Sequence, residues 1–597
     1  MVNKKNFSQN IVKIIKNQEM TIGITSSPST TIDIVIDITE ARKTERALGQ
    51  MVYVIVNEDG KNVLVIGQII DVETKNRWHE DPSFKGVIKR HGRLPHLSGT
   101  ADNRIATISV QACYLLHDNE PKGYILGTSP STGEMVQKMN NKVMNALMEN
   151  HKNYITYMGT VYGTQVNLPF WFKHFDKTQG DELGANDAYH IGVFGKTGSG
   201  KTVTAAFMLL GYAKNKNNIS ILVLDPQGQF YLDNECLPGK EKLENKIKEM
   251  ELNYEKFNIL DDICLPGEMF ELFGELLANN GFIEQAFRPI YDKNKLERSK
   301  EAIVDYLIGR SNKPGFNLNK IKYKELLLKQ ILIRFNEKKD TDEKNSGFSK
   351  YILNIWGTKD TRARLSRRIK TIIDNFDNET EIKNKWKSAL EFFSPKKQNG
   401  SDKIKVEEIV NKTVNENGNF VILDLRPKEG EVENENLQAL FVKIIEEKIV
   451  KAGAKFYAKG EKANCLIVMD EAHRFISKES TDLRIKELTD EIIGSVRTTR
   501  KYGIGYMFIT QTIDSLDDEI LSQMRIFAFG YGLTAGKEIR KISETINNPS
   551  AIQLYKSFID PTSNNQYPFM FFGPISPLSF TGSPLFIEMY KDVSQFK

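Results

Sequence analysis

The sequence has few cysteines and no long apolar run. Its four cysteines, Cys113, Cys236, Cys264 and Cys465, lie far apart and form no CxxC pair. This spacing excludes a disulfide framework and gives no zinc signature, so buried thiols are expected. No run of about 18 or more consecutive apolar residues occurs, and residues 1–18 lack the apolar core of a secretory signal. A cytoplasmic protein without a membrane-spanning segment is therefore expected.

The chain also has little excess charge of either sign. Its 597 residues include 82 Lys and Arg against 77 Asp and Glu, a net charge of +5, which excludes a uniformly basic surface. Any contact with nucleic acid must then be local. Lys and Arg concentrate between Arg288 and Lys405, although interspersed acids also fit solvated helix faces there. A chain of this length exceeds one compact core, so two or more domains are expected.

The beginning of the chain has the pattern of short strands. Isoleucines alternate with other residues between Ile32 and Ile38, the period of a half-buried strand. Two β-branched runs flank Asp59-Gly60, which is a hairpin signal. A small barrel or sandwich, followed by a linker helix at 134–148, is therefore predicted for residues 1–150. The strand signals cover residues 32–38, 51–56, 63–72 and 105–116.

After a Gly/Asp-containing connection at 156–187, strand patterns alternate with helices. This rhythm predicts a parallel sheet. A Lys/Glu-rich region with helical periodicity interrupts it. Strands are predicted at 190–194, 219–224, 420–425, 465–469, 505–509 and 526–530, and a helix at 202–214. The predicted domains are a first core segment at 151–237, a helical insertion at 238–415, a second core segment at 416–560, and an extension at 561–597 that packs on the core or on a neighbour.

The strongest motif is a glycine-rich octapeptide between a predicted strand and a predicted helix. Glycines let such a loop curl so that successive backbone N–H groups face phosphates, and the helix N-terminus adds partial positive charge. Lys201 would hold the β- and γ-phosphates of ATP, and the Thr202 hydroxyl would bind Mg²⁺. An ordinary glycine-rich turn is the alternative. The nucleotide-binding candidates are Gly195, Thr197, Gly198, Ser199, Gly200, Lys201 and Thr202.

A second motif is the apolar run 465–469, which ends in two acids. Buried parallel strands present functional side chains at their carboxyl ends, so these acids are expected beside the phosphate loop. Asp470 would bind Mg²⁺, and Glu471 would polarise the attacking water. A solvated strand edge is the alternative. The extra acid favours NTP hydrolysis by a motor over a small-molecule kinase, whereas a lone histidine such as His473 is more often structural than catalytic.

Three further residues are candidates for catalysis. In RecA-like motors, a polar residue that ends the strand beside these acids contacts the γ-phosphate, and Gln511 fits this role. An Arg at a subunit edge can stabilise the leaving phosphate in the neighbouring site. Such a residue is called an arginine finger. Arg500 is the first candidate for it and Arg497 the second, although each also fits a surface ion pair.

Asp225 ends the strand that follows the phosphate-loop helix. It begins the stretch Asp-Pro-Gln-Gly-Gln-Phe. Its place beside the nucleotide predicts a cofactor contact. A Pro/Gly turn that merely ends the strand is equally compatible with this stretch.

Together and in this order, the motifs resemble the HerA family of DNA translocases, relatives of the FtsK motors, over nearly the whole chain. The N-terminal strands are similar to that family's HAS barrel, GKTGSGKT to its Walker A motif and MDEAHRF to its Walker B motif. The stretch RKYGIGYMFITQTIDSLDDEILSQ is similar to the family's Arg-Lys-Phe/Tyr-Gly segment, its Thr/Ser-Gln motif and its Leu-Ser-Gln helix. The family has Asp-Pro-His-Gly-Glu-Tyr where this chain has Gln229 in place of the acid, so only Asp225 carries over.

The resemblance implies an α/β fold, with a RecA-like P-loop NTPase core, an N-terminal small HAS-like β-barrel and a helical insertion. It implies an ATPase that uses ATP and Mg²⁺ and forms a homohexameric ring around double-stranded DNA, with ATP sites between subunits. Barrels stacked at one end would dock a separate effector. This effector would be a NurA-type nuclease or, in anti-phage operons, a sirtuin-like NADase or another nuclease. No membrane partner is implied.

Two other functions share these motifs. An ATP-gated scaffold that assembles and regulates a defence effector would have the same sequence signals, and only tracking of movement along DNA would separate it from a translocase. A conjugation or secretion ATPase has a similar core, but such proteins act at membranes and this chain has no membrane-spanning run.

Overall fold

The structure is a computed structural model that contains a β-barrel, a large mixed sheet and a helical insertion. None of the helices in its described ranges combines the length and apolarity that crossing a bilayer requires. The described ranges are residues 20–116, 121–175, 188–214, 219–234, 236–239, 241–288, 293–312, 316–337, 348–397, 399–426, 435–477, 483–579 and 582–596.

The N-terminal segment of the chain forms the barrel. Its strands are β1 Thr21–Thr25, β2 Asp33–Ile38, β3 Met51–Glu58, β4 Lys61–Lys75, β5 Asn103–Leu115, β6 Lys122–Tyr124 and β7 Met135–Lys138. The strands pair in the order β2-β1-β7-β3-β4-β5, and β2 also pairs with β5, which closes the barrel. The β3–β4 hairpin turns at Asp59 and Gly60, both in the left-handed region. The barrel and its hairpin are therefore confirmed.

Three helices accompany the barrel, and one of them corrects a prediction. They are α1 Arg77–Glu80, α2 Pro82–His91 and α3 Asn141–Met148. The sequence pattern predicts one helix over residues 134–148. In the structure, Met135–Lys138 form β7 instead, and this strand pairs with β1 on one side and β3 on the other. Without this strand, two barrel edges would have unpaired backbone groups. The helix begins only after Asn140, whose side chain caps the N–H of Val143 at 2.9 Å.

Among the described residues, eleven strands form the large sheet. In chain order they are β8 Ile155–Val161, β9 Asn167–Trp171, β10 His190–Phe194, β11 Ser220–Asp225, β12 Asn253–Asn258, β15 Asn419–Asp424, β16 Cys465–Met469, β17 Ile504–Thr510, β18 Met524–Gly530, β19 Pro568–Phe572 and β20 Leu585–Met589, while β13 Ile263–Cys264 and β14 Ile404–Lys405 pair separately. The order in the sheet is β12-β15-β11-β16-β17-β10-β18-β19-β20-β8-β9. The first seven are parallel, and six of these, all except β12, lie at predicted positions; the last four are antiparallel.

Both faces of the parallel region are buried, which explains its apolar strands. In β16, Leu466 and Val468 pack into one hydrophobic cluster, and Cys465, Ile467 and Met469 pack into the other. All four cysteines are buried and none forms a disulfide, as expected. The α/β fold with an N-terminal barrel is confirmed.

The structure differs from three of the predicted boundaries. The predicted connection at 156–187 contains β8 and β9. The edge strand is β9, where Pro169 costs no ladder hydrogen bond; residues 176–187 lie outside the described ranges. The extension 561–597 contributes β19 and β20 to the same sheet. Within the predicted insertion 238–415, β12 is also a strand of the sheet. It is an edge strand with no buried residue, so its polar sequence resembles a solvated helix.

The remaining α-helices of the described ranges follow in chain order. In the first core segment and just after it they are α4 Lys201–Ala213, α5 Gln229–Leu232 and α6 Leu243–Glu249. The insertion contains α7 Phe270–Asn279, α8 Phe282–Ala286, α9 Lys293–Ser311, α10 Lys324–Asn336, α11 Lys350–Ile355, α12 Lys359–Asp374, α13 Thr380–Glu391 and α14 Val406–Val410. The rest of the chain contains α15 Glu435–Ala458, α16 Leu483–Thr498, α17 Asp518–Gln523, α18 Gly536–Ile546, α19 Pro549–Lys556 and α20 Pro561–Asn564.

A buried glutamine joins the barrel to the last strand of the large sheet. Gln68 on β4 accepts the backbone N–H of Phe586 at 3.1 Å and donates to the carbonyls of Gly49 at 2.9 Å and Phe586 at 3.3 Å. Gln111 on β5 donates to Pro584 O at 3.0 Å. The barrel is thus held to the core by polar contacts that have no access to water.

We expect Gln68→Leu to destabilise this junction. Leucine has a similar size, but the buried N–H of Phe586 would lose its acceptor, which costs about 1–3 kcal/mol. The melting temperature should fall, and limited proteolysis should cut between the barrel and the core sooner than in the wild type. Gln553→Leu is the control because Gln553 is exposed on α19. Equal melting temperatures for the Gln68 and Gln553 variants would contradict the prediction.

Candidate nucleotide site

The glycine-rich loop connects β10 to α4, as the sequence predicts. Gly198 and Gly200 have φ values of 80° and 87°, a left-handed conformation that favours glycine. A Cβ on Gly195 would lie 2.4 Å from Ser199 Oγ, so the loop also closes on itself tightly. Helix α4 begins at Lys201, immediately after the loop. The loop therefore has the local geometry of a phosphate cradle.

Lys201 follows this loop directly and lies near enough to the two acids after β16 for their charges to act on it. Its side chain is largely buried, and its Nζ donates to the carbonyl of Lys196 at 3.4 Å. Burial lowers the pKa of Lys201, while the charges of Glu471 and Asp470 oppose that shift. The ammonium group is thus held in a partly dehydrated position facing the acids, where its charge acts strongly.

Asp470 is the most electrostatically demanding residue of the site. It is only 1% exposed, and its Oδ2 has no hydrogen-bond partner among the described residues. Burial raises the pKa of Asp470 well above its usual value, and the charges of Asp225 and Glu471 raise it further. A buried carboxylate with an unsatisfied oxygen fits a position that binds a cation.

Glu471 is held by a short chain of hydrogen bonds. It adopts a left-handed conformation with φ 45° and is 4% exposed. Gln511 at the end of β17 donates its Nε2–H to Glu471 Oε1 at 3.0 Å, and Thr197 of the loop donates to Gln511 Oε1 at 3.1 Å. The structure therefore brings Gln511 between the phosphate loop and Glu471.

His473 lies closer to this chain of hydrogen bonds than the sequence suggests. Its Nδ1 is 3.3 Å from Glu471 Oε2 and 3.3 Å from Thr510 Oγ1. Burial lowers the pKa of His473, and the charge of Glu471 opposes this effect. The imidazole thus borders the second oxygen of the acid, so its position fits orienting Glu471 as well as filling space.

Gln229 is a site residue that the motifs do not predict. The Thr202 hydroxyl donates to Gln229 Oε1 at 2.6 Å, and Gln229 Nε2 donates to Gln227 Oε1 at 2.9 Å. The HerA family has a glutamate at this position, and its replacement by Gln229 removes the signal that would predict a site residue here. The amide oxygen nevertheless contacts the hydroxyl expected to bind the metal.

Asp225 supports the turn that positions Gln229. Its Oδ1 accepts the backbone N–H groups of Gly228 at 2.7 Å and Gln229 at 3.1 Å, and its Oδ2 accepts that of Tyr231 at 2.8 Å. Burial raises its pKa to about 6 despite these bonds. Both oxygens thus serve the turn, which is the structural alternative that the sequence allows. A direct contact with nucleotide stays a prediction.

The two candidate arginines lie at the other end of the sheet. Phe194 pairs with Thr510, so the phosphate loop is at the carboxyl end of β17. Arg500 precedes the start of β17, about 20 Å from that end at the usual rise of a strand, and its carbonyl accepts the N–H of Ala188 at 3.2 Å. Arg497 forms an ion pair with Glu519. Neither arginine lies at the phosphate loop of its own chain.

The oxygen donors of the site fit a magnesium ion. Mg²⁺ prefers carboxylate and hydroxyl oxygens together with phosphate and water. Asp470 Oδ2 is buried and unsatisfied among the described residues, and Thr202 lies in the first turn of α4, beside the loop. Asp470 and Thr202 would therefore hold the ion, with Gln229 next to the Thr202 hydroxyl.

Comparison with known families agrees with this geometry. Residues 184–449 match the family model described as "Helicase HerA, central domain". The chain therefore contains a P-loop ATPase core that resembles the central domain of HerA helicases. The matched HerA segment contains the phosphate loop and Asp225, whereas Asp470, Glu471 and Gln511 follow it in the chain.

A curated relative bears the same family name. The DNA double-strand break repair helicase HerA of Sulfurisphaera tokodaii is 24% identical over 340 residues, which cover 56% of this chain and 53% of the relative. The chain thus spans about half the length of that HerA protein.

Three solved structures are similar at lower levels. VirB4 of Thermoanaerobacter pseudethanolicus is 12% identical, with a TM-score of 0.38 over 73% of this chain and 96% of its own. The pCW3 conjugation coupling protein TcpA is 10% identical, with a TM-score of 0.26 over 91% and 89%. The genome packaging NTPase B204 from Sulfolobus turreted icosahedral virus 2, in complex with ATP-gammaS, is 17% identical, with a TM-score of 0.20 over 30% and 71%. These scores add nothing to the identification of the HerA-type domain.

We expect Gly200→Ala to weaken nucleotide binding by about five- to thirtyfold, because a left-handed conformation costs an L-residue about 1–2 kcal/mol. A Cβ there would also lie 2.7 Å from Tyr567 Cδ1, so the loop would have to move. Titration with a fluorescent ATP analogue measures the change. Gly494→Ala on α16 is the control, since a Cβ there meets no atom within 4 Å. Wild-type affinity in the Gly200 variant would show that the loop does not cradle phosphate.

Proposed function

We propose that this chain is an ATP-driven translocase of double-stranded DNA that works as a homohexameric ring with a separate effector protein. One observation carries the proposal. The buried acids Asp470 and Glu471 follow a parallel strand beside the phosphate loop, where their charges act on Lys201 and Gln511 is bonded to Glu471. This arrangement suits hydrolysis of a nucleoside triphosphate by water.

Each residue of the site has a chemical task under this proposal. The backbone of the loop and Lys201 bind the β- and γ-phosphates and offset their charge. Mg²⁺, held by Thr202 and Asp470, would neutralise charge that develops on the phosphate oxygens. Lys201 is already partly dehydrated, so its attraction for the γ-phosphate is stronger than in water.

Glu471 is the proposed acceptor of a proton from the attacking water. Its Oε1 is bonded to Gln511 and its Oε2 lies near His473, so both oxygens have a defined orientation. Gln511 also accepts a hydrogen bond from Thr197 in the loop. Because a γ-phosphate would compete for these donors, Gln511 is suited to report whether ATP or ADP is bound.

The positions of Arg500 and Arg497 support a ring. Both precede β17, away from the phosphate loop of the same chain. An arginine at that edge acts on a nucleotide only if a neighbouring subunit presents its own loop there. The ATP sites would then lie between subunits, and each turnover would involve two of them.

The effector and the biological setting belong to the same proposal. Barrels stacked at one end of the ring would dock a NurA-type nuclease, a sirtuin-like NADase or another nuclease, in DNA processing or anti-phage defence. Duplex DNA should raise ATP turnover, and the protein should displace a third strand from a triplex in an ATP-dependent reaction. ATP consumption without displacement would favour an ATP-gated scaffold instead.

We expect Glu471→Gln to abolish turnover without weakening nucleotide binding. The amide keeps the size of the side chain but cannot accept the proton, so the rate should fall by about 10² to 10⁴. Phosphate release and titration with a fluorescent ATP analogue measure the two properties. Glu544→Gln is the control, because Glu544 is an exposed acid on α18. Normal turnover in the Glu471 variant would remove its role in water activation.

We expect inactive Arg500→Ala and Lys201→Ala subunits to restore ATPase activity when they are mixed. The Arg500 variant keeps an intact phosphate loop, and a Lys201→Ala neighbour would supply the missing arginine. Mixtures with Arg497→Ala decide between the two candidates. Mixing Lys201→Ala with Glu471→Gln is the control, because every site then lacks one residue of its own. If neither arginine variant is rescued by mixing, neither residue acts across a subunit boundary.

A further inference from the structure

A basic excursion leaves the barrel between β4 and β5. We call residues 77–102 the barrel arm; it contains α1 and α2. Residues 82–101 contain four Lys or Arg and two His but no acid. The chain has 77 acids in 597 residues, so about two or three would be expected in twenty. The basic residues of this segment are Lys85, Lys89, Arg90 and Arg93.

The arm is structurally defined although α2 buries no side chain. Asp81 caps α2 by accepting the N–H of Ser83 at 2.8 Å. At the base of the arm, the buried Asn76 donates to Leu97 O at 3.0 Å, and His79 Nε2 lies 2.6 Å from Ser98 Oγ. Helices usually gain most of their stability by packing an apolar face. Helix α2, which has no buried residue, therefore leaves most of its surface accessible to solvent and to a ligand.

The outward face of α2 is the basic one. At 100° per residue, Lys85 and Lys89 lie one turn apart on the same face, with Arg90 beside them. The half-buried Phe84 and Ile88 lie on the other side, and the Phe84 ring packs edge-on against Trp78 at 5.3 Å. Within the described ranges, none of the three cations forms an ion pair. Asp81, the nearest acid in sequence, is used as the cap.

We propose that the barrel arm binds the phosphate backbone of duplex DNA, at a surface separate from the ATP site. A face with several unpaired cations and no acid complements a polyanion. Phosphates of duplex DNA are spaced closely enough to contact Lys85, Lys89 and Arg90 together. A membrane fits less well, because the exposed large apolar side chains of the arm are only Trp78 and Val87. The charge of the arm alone indicates a polyanion; the choice of duplex DNA as that polyanion rests on the proposed function.

The test is the salt dependence of DNA binding by the full-length protein. A variant with Lys85→Gln, Lys89→Gln and Arg90→Gln is compared with the wild type by fluorescence anisotropy on one duplex over a range of NaCl. The slope of log K against log salt should become shallower by about 0.9 for each lost phosphate contact, or about 2 to 3 in all. Affinity for a fluorescent ATP analogue should not change, which also shows that the variant is folded.

A matched variant controls for net charge. Lys248→Gln, Lys396→Gln and Lys451→Gln remove three exposed lysines that are paired with acids, and its slope should equal that of the wild type. A wild-type slope in the arm variant would overturn the inference. The inference would also be overturned if the arm variant kept its affinity for duplex DNA but lost affinity for phosphatidylserine vesicles or for duplex RNA. The proposed function fails by a different result, namely ATP turnover that duplex DNA does not change, whatever the arm variant does.

Discussion

The site depends on one electrostatic constraint, which is the burial of carboxylates at the end of β16. Asp470 is almost completely inaccessible and one of its oxygens has no partner among the described residues. Nearby acids raise its pKa further, so the folded chain has unfavourable charge at this point. Lys201 offsets some of that charge, and its own pKa is lowered by burial. Under the proposed function, a metal that arrives with the nucleotide would supply the remaining positive charge at Asp470.

The parallel sheet makes this arrangement possible because it fixes where each strand ends. β17 lies between β10 and β16, so the phosphate loop, Gln511 and the two acids meet at one edge. The hydrogen bonds from Thr197 to Gln511 and from Gln511 to Glu471 then cross that edge. Glu471 has a left-handed backbone, which costs a non-glycine residue about 1–3 kcal/mol and is supported by these contacts. The position of the acid is therefore coupled to the loop that would receive the phosphates.

The sequence predicts those elements of the fold whose structure depends on residues that are neighbours in the chain. The apolar run Cys465–Met469 is a strand with the predicted bounds, and the glycine-rich loop lies between β10 and α4. The edge strand β12 escapes prediction because its residues are mostly polar and none of them is buried. Gln229 and Tyr567 escape it as well, since their contacts with Thr202 and Gly200 join segments that are distant in sequence. Such contacts depend on the folded topology, and no local pattern encodes them.

The same topology separates the two ends of β17 by function. Its carboxyl end carries Thr510 and Gln511 at the phosphate loop, whereas its start follows the turn that contains Arg500. In between, Tyr506 donates a hydrogen bond to the buried Glu446 of α15, whose pKa is raised to about 7 by burial. This contact fixes the strand against α15, so the two ends of β17 keep a constant spacing. Under the proposed function, a subunit that moves at its own nucleotide would therefore move the arginine it presents to its neighbour, because the turn that contains Arg500 leads directly into β17.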